Sequence, residues 1–212
     1  DIDKARFYDY ARKTTQAYVQ SKTFQEVYYS RMKSVGTERV FEKVRISLEN
    51  LLNSDRLPWL ADFAVLKKDE WLIEPPGYGE TRIGGMKAYC KVDFLFPVKD
   101  RLFIMDWKTG KSDPKKHRRQ MVGYAAWATY HFEKDPAKIS PIVAYLHPHY
   151  KEIHITVNSS DIEAFARQIR KETAHMNKFC QDVQKNIPKD KALFILKKSR
   201  LCDYCNFRAL CH

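Results

Sequence analysis

The sequence predicts an α/β protein in which a central mixed β-sheet is flanked by helices, with a helical N-terminal region and a cysteine-rich C-terminal tail. Two observations favour this class. Helical and strand-like hydrophobic patterns alternate along the chain, and 44% of its 212 residues are apolar, which allows a sizeable core. No internal repeat or low-complexity linker interrupts the pattern. We therefore predict a single domain over residues 1–212, with a helical part (1–55), a core (56–157) and a C-terminal part (158–212).

Helices are predicted on both sides of the core. Residues 3–30 are rich in long polar and aromatic side chains, and residues 37–52 place apolar side chains at helical spacing. A basic segment (111–119) leads into a third helix that ends near residue 131, and residues 160–186 are again helical in pattern. Strands are predicted at residues 89–96, 101–106, 142–146 and 153–157. The first two strands should form a hairpin around a polar turn.

The charge balance indicates a polyanionic partner. There are 38 Lys and Arg residues against 26 Asp and Glu, which gives a net charge of +12 and a pI near 9.4. Such a balance is typical of nucleic-acid-binding proteins, with a merely solvated basic surface as the alternative. The longest apolar runs fall short of the roughly 20 residues that cross a bilayer, and the first residues lack the apolar centre of a secretory signal. We therefore expect an intracellular protein, cytoplasmic or nucleoid-associated, without a membrane partner.

Two acidic residues and a lysine form the most informative chemical pattern. Side chains on a strand alternate between faces, so Asp106 and Lys108 should project to one side and Trp107 to the other. If the strand that holds Asp93 pairs with this one, a second carboxylate joins them. Two carboxylates, the backbone carbonyl of Trp107 and water would suit Mg²⁺ or Mn²⁺, which serve phosphodiester hydrolysis. The alternative is a hairpin with exposed charges, and spacing alone does not decide between them.

A helical Gln-x-x-x-Tyr follows downstream. Gln120 and Tyr124 are four residues apart and share a helix face. The strand Asp, the Asp-x-Lys-Thr-Gly of residues 106–110 and this helical pair, in this order, resemble the RecB-like branch of the PD-(D/E)xK nuclease superfamily. The resemblance covers residues 36–130 and, with the tail, reaches the C-terminus. It implies a restriction-endonuclease-like core.

The resemblance also implies residue roles. In that family the residues that match Asp93 and Asp106 bind metal, and the residue that matches Lys108 is catalytic. Those that match Gln120 and Tyr124 position DNA or active-site groups near the scissile phosphate. The implied activity is that of a Mg²⁺- or Mn²⁺-dependent deoxyribonuclease, an exonuclease acting on single-stranded DNA ends in recombination, replication or CRISPR adaptation. The alternatives are a non-catalytic nucleic-acid-binding module that keeps the fold, and a subunit that acts only with protein partners in a larger complex.

One part of the family pattern is missing. The family usually offers a His, or sometimes a Glu, from the helix corresponding to residues 37–52, and this helix contains no His. Glu38, Glu42 and Glu49 are candidates, but they lie about 120° around the helix from its apolar stripe, which favours a solvated acidic face. Glu74, at the end of a short apolar run, is a further candidate, with an exposed strand end as the alternative.

The tail contains three closely spaced cysteines, Cys202, Cys205 and Cys211. Their Cys-x2-Cys-x5-Cys spacing suits an iron–sulfur cluster or zinc, and it looks like the C-terminal signature of the iron–sulfur AddB-type and CRISPR-adaptation exonucleases. In those proteins a 4Fe-4S cluster also binds a fourth Cys near the N-terminus, whereas no cysteine precedes Cys90 here. A residue upstream of the sequence, Cys180 or His212 would have to replace it. Zinc and a vacant motif are the alternatives.

Four cations just before the Gln-x-x-x-Tyr are predicted to contact DNA phosphates, namely Lys115, Lys116, Arg118 and Arg119. A solvated charged face is the alternative. His147, His149 and His154 lie near a strand turn without carboxylates at metal-ligand spacing, so we predict surface positions for them. Cys90 lies three residues before Asp93 and should point to the opposite face of the strand, which predicts a core thiol.

Overall fold

The structure is a computed structural model that describes residues 3–22, 24–29, 31, 33–77, 79–195 and 197–210. It contains two compact units. Asp1–Val44 and His175–His212 form the first unit, and Arg45–Ala174 forms the second. The main sheet lies in the second unit, and the cysteine-containing tail lies in the first. No helix in these described ranges is long and apolar enough to span a membrane.

The helices are α1 (Lys4–Ser21), α2 (Gln25–Tyr28), α3 (Thr37–Leu52), α4 (Arg56–Trp59), α5 (Pro114–His131) and α6 (Ser159–Asn177). The strands are β1 (Leu72–Ile73), β2 (Gly79–Ile83), β3 (Met86–Cys90), β4 (Phe94–Val98), β5 (Arg101–Lys108), β6 (Ile139–Tyr145), β7 (Lys151–His154), β8 (Cys180–Asp182) and β9 (Ile187–Pro188). A π-helical turn, Leu60–Ala64, follows α4. The predicted helix over residues 37–52 is confirmed.

A five-stranded mixed sheet forms the centre of the second unit. Its strands lie in the order β1, β4, β5, β6 and β7. Strands β5 and β6 are parallel, and the other neighbours are antiparallel. This arrangement, with helices on the sheet and a helical N-terminal region, confirms the predicted α/β class and its mixed sheet.

The predicted strand over residues 89–96 is wrong, because two separate strands occupy this range. Strand β3 pairs with β2 in its own two-stranded sheet, whereas β4 pairs with β5. Residues 91–93 between them belong to no strand. The reason is the tight turn of Gly84 and Gly85, whose positive φ angles of 58° and 85° give β3 a local antiparallel partner.

Helix α5 makes the crossover that the parallel pair β5 and β6 requires. The Asp113 side chain caps it by accepting a hydrogen bond from the backbone N–H of Lys116 at 3.0 Å. Along its buried face, Met121 and Ala125 pack with Ile104 of β5 in one apolar cluster. This packing fixes α5 across the β5 face from which Asp106 projects.

Aromatic side chains cover the opposite face of the sheet. Leu60 and Ala64 of the π-helical turn pack in a second apolar cluster with Phe96. Phe96 stacks on Phe103 with ring centroids 5.4 Å apart, and the Trp71 indole N–H donates to the Ala64 carbonyl at 3.0 Å. Because both faces are covered, β5 is apolar on both sides until it reaches Asp106.

Helix α6 is shorter than its predicted range of 160–186. It ends at Asn177, and the following residues form the hairpin of β8 and β9. Asn186 adopts a positive φ of 52° in the hairpin turn. Phe179, whose apolar side chain suggested a longer helix, stacks on Phe194 with centroids 5.8 Å apart. Local aromatic packing therefore replaces the last predicted helical turns.

The first unit joins the N-terminal helices to the tail. The predicted continuous helix over residues 3–30 is interrupted, because Lys22 is extended (φ −116°, ψ 140°). The Gln25 side-chain amide donates to the carbonyls of Asp203 and Cys205 at 3.1 and 3.3 Å. The Tyr29 hydroxyl accepts the backbone N–H of Ala209 at 3.0 Å. The segment at α2 thus holds the tail by polar contacts.

Candidate active site

Asp106 is the centre of the candidate site. It lies near the end of β5, and only 1% of its surface is exposed. Ile104, two residues earlier, packs in the cluster that contains α5, whereas Met105 and Trp107 pack in the aromatic cluster on the other face. The predicted separation of Asp106 and Trp107 onto opposite faces is confirmed.

Asp93 lies one residue before β4, which corrects the expectation that it is on a strand. The register pairs Phe94 with Met105, so its continuation places Asp93 beside Asp106. The Asp93 Oδ2 accepts the backbone N–H of Trp107 at 3.0 Å. The pairing of β4 with β5, continued one residue beyond β4, therefore brings the second carboxylate to the first.

Lys108 is the cation of the site. Its Nζ lies 2.5 Å from Asp106 Oδ2, and its side chain is 22% exposed, so the ammonium is at the boundary between the buried carboxylate and solvent. Apart from this ion pair, Asp106 Oδ2 has no partner in hydrogen-bond geometry within the described chain. A buried oxygen of this kind is costly to fold and is suited to a cation.

Gln120 and Tyr124 complete a chain of polar contacts. The Gln120 side-chain N–H₂ donates to Asp106 Oδ1 at 3.1 Å and to the Tyr124 hydroxyl at 2.8 Å. Both donors of one amide group are thereby used, which fixes the orientation of the Gln120 side chain. The structure therefore brings together all five predicted side chains, Asp93, Asp106, Lys108, Gln120 and Tyr124.

The electrostatics of the site follow from its burial. Burial raises the pKa of Asp106, contact with Lys108 opposes the shift, and the Asp93 carboxylate adds to it. Burial also raises the pKa of Tyr124 to about 12. Tyr124 is therefore a neutral phenol at physiological pH, and it acts here as a hydrogen-bonding group.

A family model described as the PD-(D/E)XK nuclease superfamily matches residues 5–212. The chain belongs to the PD-(D/E)XK nuclease superfamily. Among solved structures, the crystal structure of SSO0001 is 16% identical, with 97% of this chain and 96% of that chain covered and a TM-score of 0.39. No protein with a curated description matches the chain. Membership supports nuclease activity on nucleic acid, which in this superfamily typically depends on Mg²⁺ or Mn²⁺.

The residues of this PD-(D/E)XK site fit a hard divalent cation. Within the described ranges, no group of three or more His, Cys, Asp or Glu side chains is arranged to hold a metal. Mg²⁺ needs fewer, because it is commonly bound by one or two carboxylates together with water and substrate phosphates. Asp93, Asp106 and the Trp107 carbonyl remain the predicted ligands. The observation that supports this fit is the buried Asp106 Oδ2, whose one polar contact among the described residues is the Lys108 ammonium.

Sequence reasoning missed His117, which it treated as part of the basic run. His117 is 8% exposed, and its Nδ1 lies 2.6 Å from the Tyr145 hydroxyl. Tyr145 is the register partner of Lys108 on β6, and the charge of His117 helps to lower the pKa of Asp106. The signal was present, since His117 precedes Gln120 by three residues and Tyr124 by seven and therefore shares their helix face.

The additional carboxylates have different surroundings. Glu38 forms an exposed ion pair with Arg12 at 3.0 Å, and Glu49 pairs with Arg45 at 2.5 Å on the same helix. Glu42 is exposed. Glu74 is the candidate beside the site, because its backbone N–H donates to the Asp93 carbonyl at 3.0 Å.

The four predicted DNA-binding cations all lie in the first turns of α5. Two of them are paired with acidic residues of α6: Arg118 with Asp161 at 3.1 Å and Arg119 with Glu172 at 2.5 Å. Lys115 and Lys116 are exposed and form no ion pair in the part of the chain that the structure describes. Their charge is therefore available to a polyanion.

The predicted tail site is only partly described. Cys202 and Cys205 are half-buried in and after a 3₁₀ segment, and the Cys202 sulfur accepts the Ser199 N–H at 3.3 Å. Cys211 and His212 lie outside the described residues. Cys180 is half-buried in β8. Cys90 is buried, which confirms the predicted core thiol, and burial raises its pKa to about 12.

Proposed function

We propose that this PD-(D/E)XK protein is a Mg²⁺- or Mn²⁺-dependent deoxyribonuclease that uses Asp93, Asp106 and Lys108. The observation that carries the proposal is the buried Asp106 carboxylate. One of its oxygens accepts the Gln120 amide at 3.1 Å, and the other lies 2.5 Å from the Lys108 ammonium. Two neighbouring carboxylates, one of them buried with a raised pKa, are costly for folding, and such groups cluster at functional sites.

Each side chain has a distinct part in this mechanism. Asp93 and Asp106 offer hard oxygen ligands that would hold a divalent ion, which when bound would supply Lewis-acid polarisation of the phosphate and a lower pKa of bound water. Lys108 keeps a positive charge at the solvent boundary, where it orients the attacking water and stabilises negative charge on the phosphate. Gln120 fixes the orientation of the Asp106 carboxylate, and Tyr124 fixes Gln120.

The substrate is inferred from charge and motif. The net charge of +12 and the exposed Lys115 and Lys116 at the start of α5 favour a nucleic-acid strand. The Asp-x-Lys-Thr-Gly and Gln-x-x-x-Tyr motifs resemble the RecB-like branch. On that basis we infer an exonuclease that degrades single-stranded DNA ends inside the cell, in recombination, replication or CRISPR adaptation, alone or with protein partners.

Cleavage of matched linear and circular DNA tests this proposal. With Mg²⁺ or Mn²⁺ we expect end-labelled linear single strands to be shortened, and a circular single strand of the same sequence to resist because it has no ends. Excess EDTA should stop the reaction. Cleavage in excess EDTA would contradict the metal mechanism. Binding without cleavage of any DNA would instead support a non-catalytic module that keeps the fold.

We further propose that the tail cysteines bind a 4Fe-4S cluster, with zinc as the alternative. The support is the Cys-x2-Cys-x5-Cys spacing and the hydrogen bonds that hold the tail at Gln25. Protein prepared without oxygen is expected to absorb broadly near about 400 nm. Cys202→Ala and Cys205→Ala should lose that absorbance and lower the melting temperature, whereas Cys90→Ala should keep it because that thiol is in the core. Metal analysis that finds neither iron nor zinc would contradict both alternatives.

A further inference from the structure

A cavity of about 690 Å³ lies beside the candidate site in the second unit. Helix α5 forms one wall, and α6 and the hairpin of β2 and β3 form the others. The α5 residues follow one stripe at helical spacing: Lys116, Arg119, Gln120, Gly123, Tyr124 and Trp127. Gln120 and Tyr124 therefore belong both to the contacts around Asp106 and to the wall of this cavity.

The other walls are largely apolar. Tyr89 comes from the hairpin, and Phe165 and Ile169 come from α6. Tyr89 is 59% exposed, so its ring presents a large aromatic surface that folding does not bury. Such a surface beside a catalytic site is suited to a flat apolar ligand.

Close packing fixes these walls in place. A Cβ atom at Gly123 would lie 2.9 Å from the tip of the Phe165 ring, so this ring packs directly over the glycine. The Trp127 indole N–H donates to the Gly79 carbonyl at 3.1 Å. The cavity is thus a shaped space between tightly packed elements.

Positive charge borders the apolar walls. Lys87 pairs with Glu80 at 3.3 Å and Arg119 pairs with Glu172 at 2.5 Å. Lys116 also lines the cavity and forms no ion pair within the described residues. Lys116 thus offers an ammonium group to an anionic part of a ligand in the same cavity that the aromatic side chains line.

Building on the proposed nuclease function, we propose that this cavity binds one unpaired base of the substrate strand, with an adjacent phosphate at Lys116. An aromatic platform combined with a cation is the chemistry by which proteins hold single strands, because every base has a face that can stack. A base within a duplex has both faces covered by its neighbours and cannot enter. Discrimination of single from double strands would therefore reside in a cavity that shares its α5 wall with the candidate site.

Two variants from different walls test the assignment. Tyr89→Ala removes the exposed ring, and Ile169→Glu places a carboxylate in the cavity from α6, which repels the strand and offers no ring to the base. Tyr130→Ala is the matched control, because Tyr130 is a 44% exposed tyrosine on α5 that does not line the cavity. Binding is measured in EDTA with a single strand that contains 2-aminopurine near its end. We expect each test variant to weaken binding about tenfold and to lose stacking-dependent quenching of that base, and the control to match the wild type.

The outcomes separate this inference from the nuclease proposal. Wild-type affinity and quenching in both test variants would overturn the base-binding cavity, even if the protein cleaves DNA. In a second outcome, the wild type binds the strand and quenches the 2-aminopurine fluorescence, while both variants lose the binding and the quenching. That result would support the base-binding cavity, even if no cleavage occurs with Mg²⁺ or Mn²⁺. If the two variants lost as much affinity for fully paired DNA as for the single strand, the base-binding cavity would also be overturned, because a duplex offers no free base.

Discussion

Replacing Asp106 with asparagine is expected to abolish cleavage and at the same time to raise the free energy of unfolding. The activity loss should be at least about a hundredfold, because the variant removes a proposed metal ligand and the charge that pairs with Lys108. The stability gain follows from the raised pKa. A group with a raised folded-state pKa stabilises the protein below its unfolded-state pKa, and that contribution is lost as the pH rises through the folded-state value. At neutral pH the folded protein bears the cost of an ionised, buried carboxylate, and the asparagine variant does not bear it.

The measurement combines initial cleavage rates with urea unfolding at pH 7. Lys108→Met should lose activity to a similar extent, and Lys111→Met is its matched control, since Lys111 is exposed three residues further on. DNA binding should persist in all of these variants. Retained cleavage in Asp106→Asn would contradict its role as a metal ligand. Lower stability would show that its contact with Lys108 outweighs the cost of burial.

The second large effect is expected at Arg56, whose side chain is buried in an ion pair with Glu152. Two hydrogen bonds at 2.7 and 2.6 Å join the guanidinium to both carboxylate oxygens, and the side chains are only 10% and 14% exposed. The Tyr150 hydroxyl donates to the same carboxylate at 2.5 Å. Arg56→Met should lower the free energy of unfolding by about 3 kcal/mol, because it leaves a buried carboxylate without its cation.

A double-variant cycle separates the pair from general packing. Glu152→Gln should restore much of the loss in the Arg56→Met background, because no uncompensated charge then remains. The exposed pair of Lys138 and Asp100 is the control, and Lys138→Met should leave the free energy of unfolding close to that of the wild type because solvent screens this pair. An Arg56→Met protein as stable as the wild type would contradict the prediction.

The same pair has a pH signature. Burial alone would raise the pKa of Glu152, but the hydrogen bonds from Arg56 and Tyr150 outweigh it and lower the pKa to about 2, against an ordinary value of 4.5. A lowered pKa contributes stability above the unfolded-state value, and that stability is lost as the pH falls from about 4.5 to about 2. Arg56→Met should flatten this part of the stability profile.

The hydrophobic periodicity of the sequence predicted those features that depend only on short stretches of chain, namely helix bounds and the faces on which side chains lie. The bounds of α3 and the opposite faces of Asp106 and Trp107 were predictable because helical and strand periods are properties of the backbone. The shared face of Gln120 and Tyr124 follows from the same rule. The roles of these residues and the single domain over residues 1–212 stay predictions.

The features that the sequence did not reveal depend on contacts between residues far apart in the chain, or on a nearby strand that competes for pairing. The turn at Gly84 and Gly85 gave β3 its own partner and thereby removed Asp93 from a strand. His117 looked like one cation among several, because its contact with Tyr145 exists only after the parallel strand is in place. Helical spacing places His117 on the face of Gln120 and Tyr124, but it does not show that Tyr145 is the partner on that side.

The parallel pairing of β5 with β6 has a consequence for the order in which the site is built during folding. Asp93 and the β5 backbone are 14 residues apart and meet through an antiparallel neighbour, whereas His117 and Tyr145 are 28 residues apart and meet only across the crossover. Contacts between distant residues form late, because the chain between them must first be ordered. In refolding, Asp93 should therefore reach the β5 backbone before His117 reaches Tyr145, and recovery of nuclease activity should follow docking of the crossover.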